Sequence, residues 1–374
     1  MCFSFYVNLS ALNCFCQYCC ILLPKTIPMK KVFLLLALVS MLSFNACETD
    51  FDVTAEWKDI TVVYGLISQN DSVHYVKINK AFLGEGNALT YAQEADSASY
   101  LNNLEVRIIE KAGSTETRSF NLDTTTVFNK EEGIFYAPEQ VVYKASFKVP
   151  ADYVNKDYTY HLEIKNKITG KVITAQTPLV HDFAVETPRP GQQSINFTAE
   201  SNQRVKWFSA KNGRRYNVSV RFWFDEVIGP GRDTLARSID WNFSSAKSVS
   251  VQGGESMELL YSPASFFTVC KSLIPYKSGD EFSENDVVSR LVNRVEFLFA
   301  VSGDELNTYM EVNEPSSGIV QEKPDYTNIE NGIGLFSCRY LKSTETPSVK
   351  MRIGPSTEER LINENLKFVK KIGN

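Results

Sequence analysis

The chain has 374 residues, with 39 Lys and Arg against 44 Asp and Glu, and a formal net charge of -5. An acidic balance argues against nucleic-acid binding and against electrostatic adhesion to anionic lipid, both of which need a basic surface. Three histidines (His74, His161 and His181) leave little material for a histidine-rich metal centre or a Ser-His-Asp triad.

Residues 1–28 are apolar and hold five of the eight cysteines: Cys2, Cys14, Cys16, Cys19 and Cys20. A membrane span is one reading, since about 20 apolar residues can cross a bilayer. A metal cluster of Cys16, Cys19 and Cys20 is another, but no second ligand pair follows at zinc-site spacing. We read 1–28 as an upstream extension ahead of the true start, because a complete signal peptide follows at 29–46. Lys30 and Lys31 form its basic start, residues 32–44 its apolar run, and Ala46 the small residue before Cys47. That pattern is a bacterial lipoprotein signal, which makes Cys47 the lipidation site and the first residue of the mature chain. Loss of Lys25, Lys30 and Lys31 with no acid takes the net charge from -5 to -8. Glu48, Asp50 and Asp52 then lie in an acidic tether over 47–58. No later apolar run approaches the length of a span, so lipid alone is expected to hold the protein, each buried methylene contributing about 0.8 kcal/mol.

From residue 59 the chain alternates short runs of Val, Ile, Thr, Tyr and Phe with polar turns. Strands are predicted over 60–67 and over 73–78, the latter with Val73, Tyr75 and Lys77 on one face. Leu104, Val106 and Ile108 alternate with Glu105 and Arg107; Tyr143, Ala145, Phe147 and Val149 alternate with Lys144, Ser146 and Lys148. Tyr158, Tyr160, Leu162 and Ile164 share a face before a turn at 166–170 leads into 171–175. A period of two marks half-buried antiparallel strands, and several in succession predict a β-sandwich over 59–185, immunoglobulin-like or transthyretin-like in outline. Residues 83–99 read as a long loop.

Pro188, Pro190 and Gly191 punctuate 186–193, the best linker in the chain. A second β-rich domain is predicted over 194–374, from strands at 205–210, 216–224, 241–243 and 257–261. Ser283 with Asp286, Ser302 with Glu305, and Ser356 with Glu359 then resemble helix-capping pairs. Apolar residues at helical spacing follow each pair, so a few packed helices are expected there. The fold class is thus mainly β.

Few patterns carry chemistry. His74 and His161 sit inside alternating strands and read as structural. Asp225 and Glu226 follow an aromatic strand, yet neighbours on a strand point to opposite faces and make a poor glycosidase pair. Asp280, Glu281, Glu284 and Asp286 fail the spacing of an EF-hand loop. Gly229-Pro230-Gly231 and Gly332-Ile333-Gly334 read as turns, outside any strand-to-helix unit that would cradle phosphate. Trp207, Phe208, Trp223 and Trp241 read as core before they read as a sugar platform. Cys270 and Cys338 are either a disulfide or two buried thiols. No catalytic residue, metal or cofactor is predicted.

The segments 297–302, 309–310 and 327–336, with Asn328, Gly332, Gly334 and Phe336 in an Asn-Ile-x-x-Gly-x-Gly-x-Phe pattern, resemble a Bacteroidota outer-membrane lipoprotein family of unknown function. The strand 62–67 resembles one that the family's members share, and Ser337-Cys338 departs from the Gly-Ala expected after the Phe. The resemblance spans most of the mature chain and implies an outer-membrane address, on the periplasmic or the cell-surface face. An acidic stretch after the lipidated cysteine resembles the family's surface-export signal; a solvated tether is the alternative. Asp-Ser/Thr-apolar triplets make Ser72, Ser97, Thr124 and Thr234 candidate O-glycosylation acceptors, with ordinary turn chemistry as the alternative. Frequent encoding beside TonB-dependent receptors implies a transport accessory that captures a ligand or docks on the transporter. The other expectation is an adhesin or fimbria-like structural protein, built by strand donation between subunits.

Overall fold

The computed structural model describes residues 60–81, 99–100, 102–128, 133, 139–229, 231, 233–314 and 325–370. Cys47, Ser97, residues 1–58 and nearly all of the loop expected at 83–99 lie outside them.

The fold is mainly β. The strands are β1 (Ile60–Ser68), β2 (Val73–Ala81), β3 (Leu104–Ala112), β4 (Thr115–Asn121), β5 (Asp123–Val127), β6 (Gln140–Ser146), β7 (Tyr158–Asn166), β8 (Val172–Pro178) and β9 (Val185–Thr187). They continue as β10 (Ser194–Ile195), β11 (Gln203–Phe208), β12 (Arg215–Ile228), β13 (Asp233–Lys247), β14 (Ser256–Tyr261), β15 (Val287–Ser302), β16 (Ile333–Ser343) and β17 (Arg352–Ile353). Among the described residues three helices join them: α1 (Ala264–Leu273), α2 (Asp304–Asn313) and α3 (Pro355–Ile362).

The expected alternation holds in most strands. Leu104, Val106 and Ile108 of β3 and Tyr158, Tyr160, Leu162 and Ile164 of β7 are buried, and their neighbours face out. In β2 the faces are the reverse of the expectation: His74, Val76 and Ile78 point inward while Tyr75 is 47% exposed. Pairing with β1 sets Ile78 beside Val63 and Val76 beside Gly65, so the two aliphatics fix the register. His74 follows them inward and stacks on Phe147 at 4.1 Å.

The division at 186–193 is corrected too. Residues 56–374 form one compact unit. An eight-stranded sheet, in the order β13-β12-β15-β16-β1-β2-β6-β5, takes strands from both sides of the expected linker. Its junction is a parallel pairing of β1 with β16, from Val62 beside Ile333 to Ser68 beside Arg339. Each half-sheet would otherwise end on an open edge, and pairing the two removes both edges. The linker is itself built in: β9 reaches Thr187, and Arg352 N–H donates to the Gln193 carbonyl at 2.8 Å.

A four-stranded sheet, β4-β3-β7-β8, and a three-stranded sheet, β14-β11-β9, complete the main layers. Buried residues of all three join one hydrophobic core. Phe147 packs against Phe120 and Tyr160 under the first half. Trp207 packs on Tyr216 and Phe299 under the second, and Phe197 stacks on Phe266 of α1 at 4.4 Å. Each such ring contributes about 1.5–3 kcal/mol of burial.

Two of the three capping pairs mark helices. Gly303 and Gly354 occupy the caps of α2 and α3, and Pro355 takes the first turn of α3. The third pair forms a real capping box at Ser283 and Asp286, but it closes only a 3-10 turn. At Val287 the chain enters the sixteen-residue β15 in place of the expected helix. Val287, Val288, Val292 and Val295 are β-branched and suit a central strand between β12 and β16. The sequence reading missed α1, which has no side-chain cap; its signal is the spacing of the buried Phe266, Phe267, Cys270 and Ile274.

Cys270 and Cys338 are free, buried thiols, which closes the disulfide alternative. Burial pushes the Cys338 thiol up to about 12. Among the described residues no helix is long and apolar enough to cross a membrane; strand-built spans are a separate matter.

Candidate functional site

The residues singled out from the sequence are mostly dispersed. His74 lies under Phe147, its Nε2 3.2 Å from the Phe147 carbonyl. His181 faces Asp157 at 3.3 Å. Asp225 points outward to Asn293, whereas Glu226 is fully buried and accepts from Arg290, Arg237 and Tyr276. The two carboxylates therefore sit on opposite sides of the sheet. Asp280, Glu284 and Asp286 each bind a different partner, namely Lys277 N–H, Arg290 and Ser283. Among the described residues no three His, Cys, Asp or Glu are grouped so as to hold a metal.

Trp207 and Trp241 are core, and Phe208 is half-buried. Trp223 instead lies on the outer face of the eight-stranded sheet, with Arg294 over its ring at 4.4 Å and its indole N–H on Glu296 at 3.1 Å. Gly332 and Gly334 mark a close backbone approach rather than a ligand cradle. A Cβ at Gly334, whose φ is +118°, would meet the Val63 carbonyl at 2.0 Å. Asn328 clamps the same crossing, donating to the Phe336 carbonyl at 2.7 Å and accepting its N–H at 2.9 Å. Of the candidate glycosylation acceptors, Ser72, Thr124 and Thr234 are exposed.

What the fold brings together is the outer face of the four-stranded sheet. β3, β7 and β8 pair so that Glu105, Lys165 and Val172 form one row across it, Arg107, Glu163 and Thr174 the next, and Ile109, His161 and Gln176 the third. The alternation that turns Val106, Leu162 and Ala175 into the core is what turns these residues outward. Two clefts lie on this face and share Glu163. The first, about 680 Å³, is lined by Glu105, Arg107, Asp123, Thr124, Lys165 and Lys167, among others. The second, about 550 Å³, has Ile109, Lys111, His161 and Gln176 on its sheet side, with Glu305 of α2 and Tyr326, Asn328 and Glu330 beside them. The extra wall exists because Glu330 bridges to Thr174 by backbone pairing, which brings 326–330 to the open edge of β8.

The ridge between the clefts is the Arg107–Glu163 pair, a two-point contact at 3.0 and 3.1 Å. Thr174 Oγ1 donates to Glu330 at 2.7 Å. His161 Nε2 lies 3.1 Å from the Thr159 hydroxyl. Burial, reinforced by the Lys111 charge, lowers the His161 pKa below its ordinary value, which favours the neutral ring. Burial raises the Glu305 carboxyl above the usual range, and the neighbouring Asp304 charge adds to that; its own N–H and Ser337 act the other way. Tyr326 is raised by burial and by the charges of Glu305 and Asp304. The face can therefore offer hydrogen-bond donors and acceptors of both charge signs over a stiff sheet. The outward charges of β3 and β7 are legible in the alternation; the arrival of Glu305 and Glu330 beside β8 has no local sequence signal.

Compared with known proteins, the chain matches no family model, and no curated protein matches it.

Proposed function

We propose that this is a lipid-anchored, non-enzymatic envelope protein, held at the outer membrane through Cys47, that captures a ligand for a TonB-dependent transporter. The outer face of the β4-β3-β7-β8 sheet is its capture surface. The observation that carries this reading is the pair of polar clefts sharing Glu163, built on strands, the second of them also walled by α2 and 326–330. Pre-formed polar clefts with few rotating parts lose little entropy on binding. The lipoprotein-like segment at 29–47 supports the address.

Two measurements test the reading together. Intact mass of the protein extracted from outer membranes should begin at a lipid-modified Cys47, and affinity purification in mild detergent should bring down a TonB-dependent receptor. An unmodified Cys47, or a protein that travels without a receptor, would count against it. The adhesin alternative has one observation in its favour: the fifteen-residue β13 forms one end of the eight-stranded sheet. Surface fibres containing the protein would favour that alternative.

A further inference from the structure

β3 loses its neighbour on one side before it ends. β4 pairs with it only as far as Asn121 beside Arg107, and Leu122 N–H donates to the Val106 carbonyl at 2.9 Å as the chain leaves for β5 in the eight-stranded sheet. Among the described residues, Leu104 and Glu105 therefore have a strand on the β7 side and none on the other. Main-chain groups along an antiparallel strand turn to alternate sides. The Asn103 carbonyl faces β7, where it accepts from Lys167 N–H at 2.9 Å, and the Val106 carbonyl faces away. The N–H and carbonyl of Leu104 then face away from β7 as well, and Leu104 lines the first cleft, of about 680 Å³. The cleft thus contains a short open strand edge.

A second group points to the same place. Tyr143 lines this cleft yet is only 5% exposed. β2 and β5 cover its main chain on both sides, so the side chain is what reaches the cleft. Its hydroxyl has no hydrogen-bond partner among the described residues, and burial alone pushes its pKa up. Nor is that hydroxyl sealed from solvent. A largely buried hydroxyl without a partner is costly, and a polar group entering from the cleft would recover part of that cost.

Both observations fit an extended peptide. Antiparallel addition beside Leu104 forms two main-chain hydrogen bonds and continues the line that β4 abandons. Directly opposed residues share a face, so the peptide residue opposite Leu104 turns inward as Leu104 does, towards the Tyr143 hydroxyl. Charge agrees with that direction. Asp123 stands at the end where β4 leaves, and Lys167, bonded to Asn103, at the other. An antiparallel peptide brings its ammonium to Asp123 and its carboxylate to Lys167, whereas a neutral saccharide gains nothing from this polarity.

We propose that this cleft binds a short free peptide, paired antiparallel with Leu104, its central side chain polar and set on the Tyr143 hydroxyl, its carboxylate towards Lys167. This rests on the reading of the sheet face as a capture surface and names the ligand class for one of its clefts.

The test is isothermal titration of the full lipidated protein in detergent with the tripeptide Ala-Thr-Ala. Ala-Val-Ala, the form N-methylated at threonine, the C-terminal amide and maltotriose are titrated in parallel. Ala-Thr-Ala is expected to bind saturably at one site, and N-methylation to abolish binding, because it removes the N–H that Leu104 accepts. Valine in place of threonine should weaken binding about threefold to tenfold, the range for one neutral hydrogen bond. Tyr143→Phe should erase that preference; the hydroxyl holds no other residue, so the fold keeps its contacts. Lys167→Met should weaken the free acid and leave the amide unchanged. Absence of Ala-Thr-Ala binding up to about 10 mM, equal binding of the N-methylated form, a threonine preference that survives Tyr143→Phe, or an equal effect of Lys167→Met on acid and amide overturns the proposal. Saturable maltotriose binding without peptide binding overturns the peptide assignment while leaving the capture reading in place. Failure of the capture reading is seen separately, in the loss of receptor association.

Discussion

Arg290 and Glu226 are both fully buried and lie 2.7 Å apart between β15 and β12. Arg290 also pairs with Glu284 at 2.7 and 2.8 Å and donates to the Leu366 carbonyl at 2.9 Å, so one guanidinium ties the 3-10 turn and the chain after α3 to the sheet. Arg237 and Tyr276 complete the shell of Glu226 at 2.7 and 2.6 Å. Removing one member of such a set strands a buried charge. Arg290→Ala should therefore cost about 3–5 kcal/mol, measured by urea unfolding; a loss under about 1 kcal/mol would show that water reaches the cluster.

The histidines set an acid limit at the same scale. Burial holds His74, His161 and His181 below the ordinary 6.5, against the Phe147 carbonyl at His74 and the Asp157 charge at His181. Below that value the unfolded chain binds protons that the folded chain resists. Stability is thus full above about pH 6.5 and falls as pH drops towards the folded values. The unfolding midpoint should be lower at pH 5.5 than at pH 7.5, and His74→Gln should flatten the difference. A midpoint independent of pH over that interval would contradict the assignment.

Among the elements, the β1–β16 pair is the least forgiving. It is parallel, it joins the two halves of the largest sheet, and it depends on Gly334 at a positive φ against the Val63 carbonyl. Gly334→Ala adds about 1–3 kcal/mol of backbone strain to a direct clash, so we expect it to lower the melting temperature more than any exposed substitution on β3 or β7. Unchanged melting would mean that the crossing can relax. The sequence shows Gly332 and Gly334 only as a turn and not the strand that they meet, because a parallel partner distant in the chain leaves no local period. The alternation of β3, β6, β7 and β12 was legible because each buries one face only. β15 was misread because a genuine capping box precedes it; a cap satisfies the first few N–H groups of any turn and does not oblige a helix to follow. For the clefts, the floor was legible in the outward residues of β3 and β7, and the wall was not.

At the scale of the whole molecule, 56–374 is one unit around one core. The fragments 59–185 and 194–374 should each fail to fold alone, since each exposes one side of the β1–β16 junction and half of the buried aromatics. The full protein should unfold in a single transition by circular dichroism. Two independently stable fragments would contradict this account of the sheet. On the functional side, a β scaffold built on one core would suit the proposed role of presenting a ligand to a membrane partner more than movement of its own. The most direct test of that proposal is the rate of ligand uptake through the proposed TonB-dependent partner, in cells carrying the wild type, no protein, or Cys47→Ala. We predict that deletion and Cys47→Ala both slow uptake, and that wild type alone restores it. Uptake that is the same in all three would contradict the account.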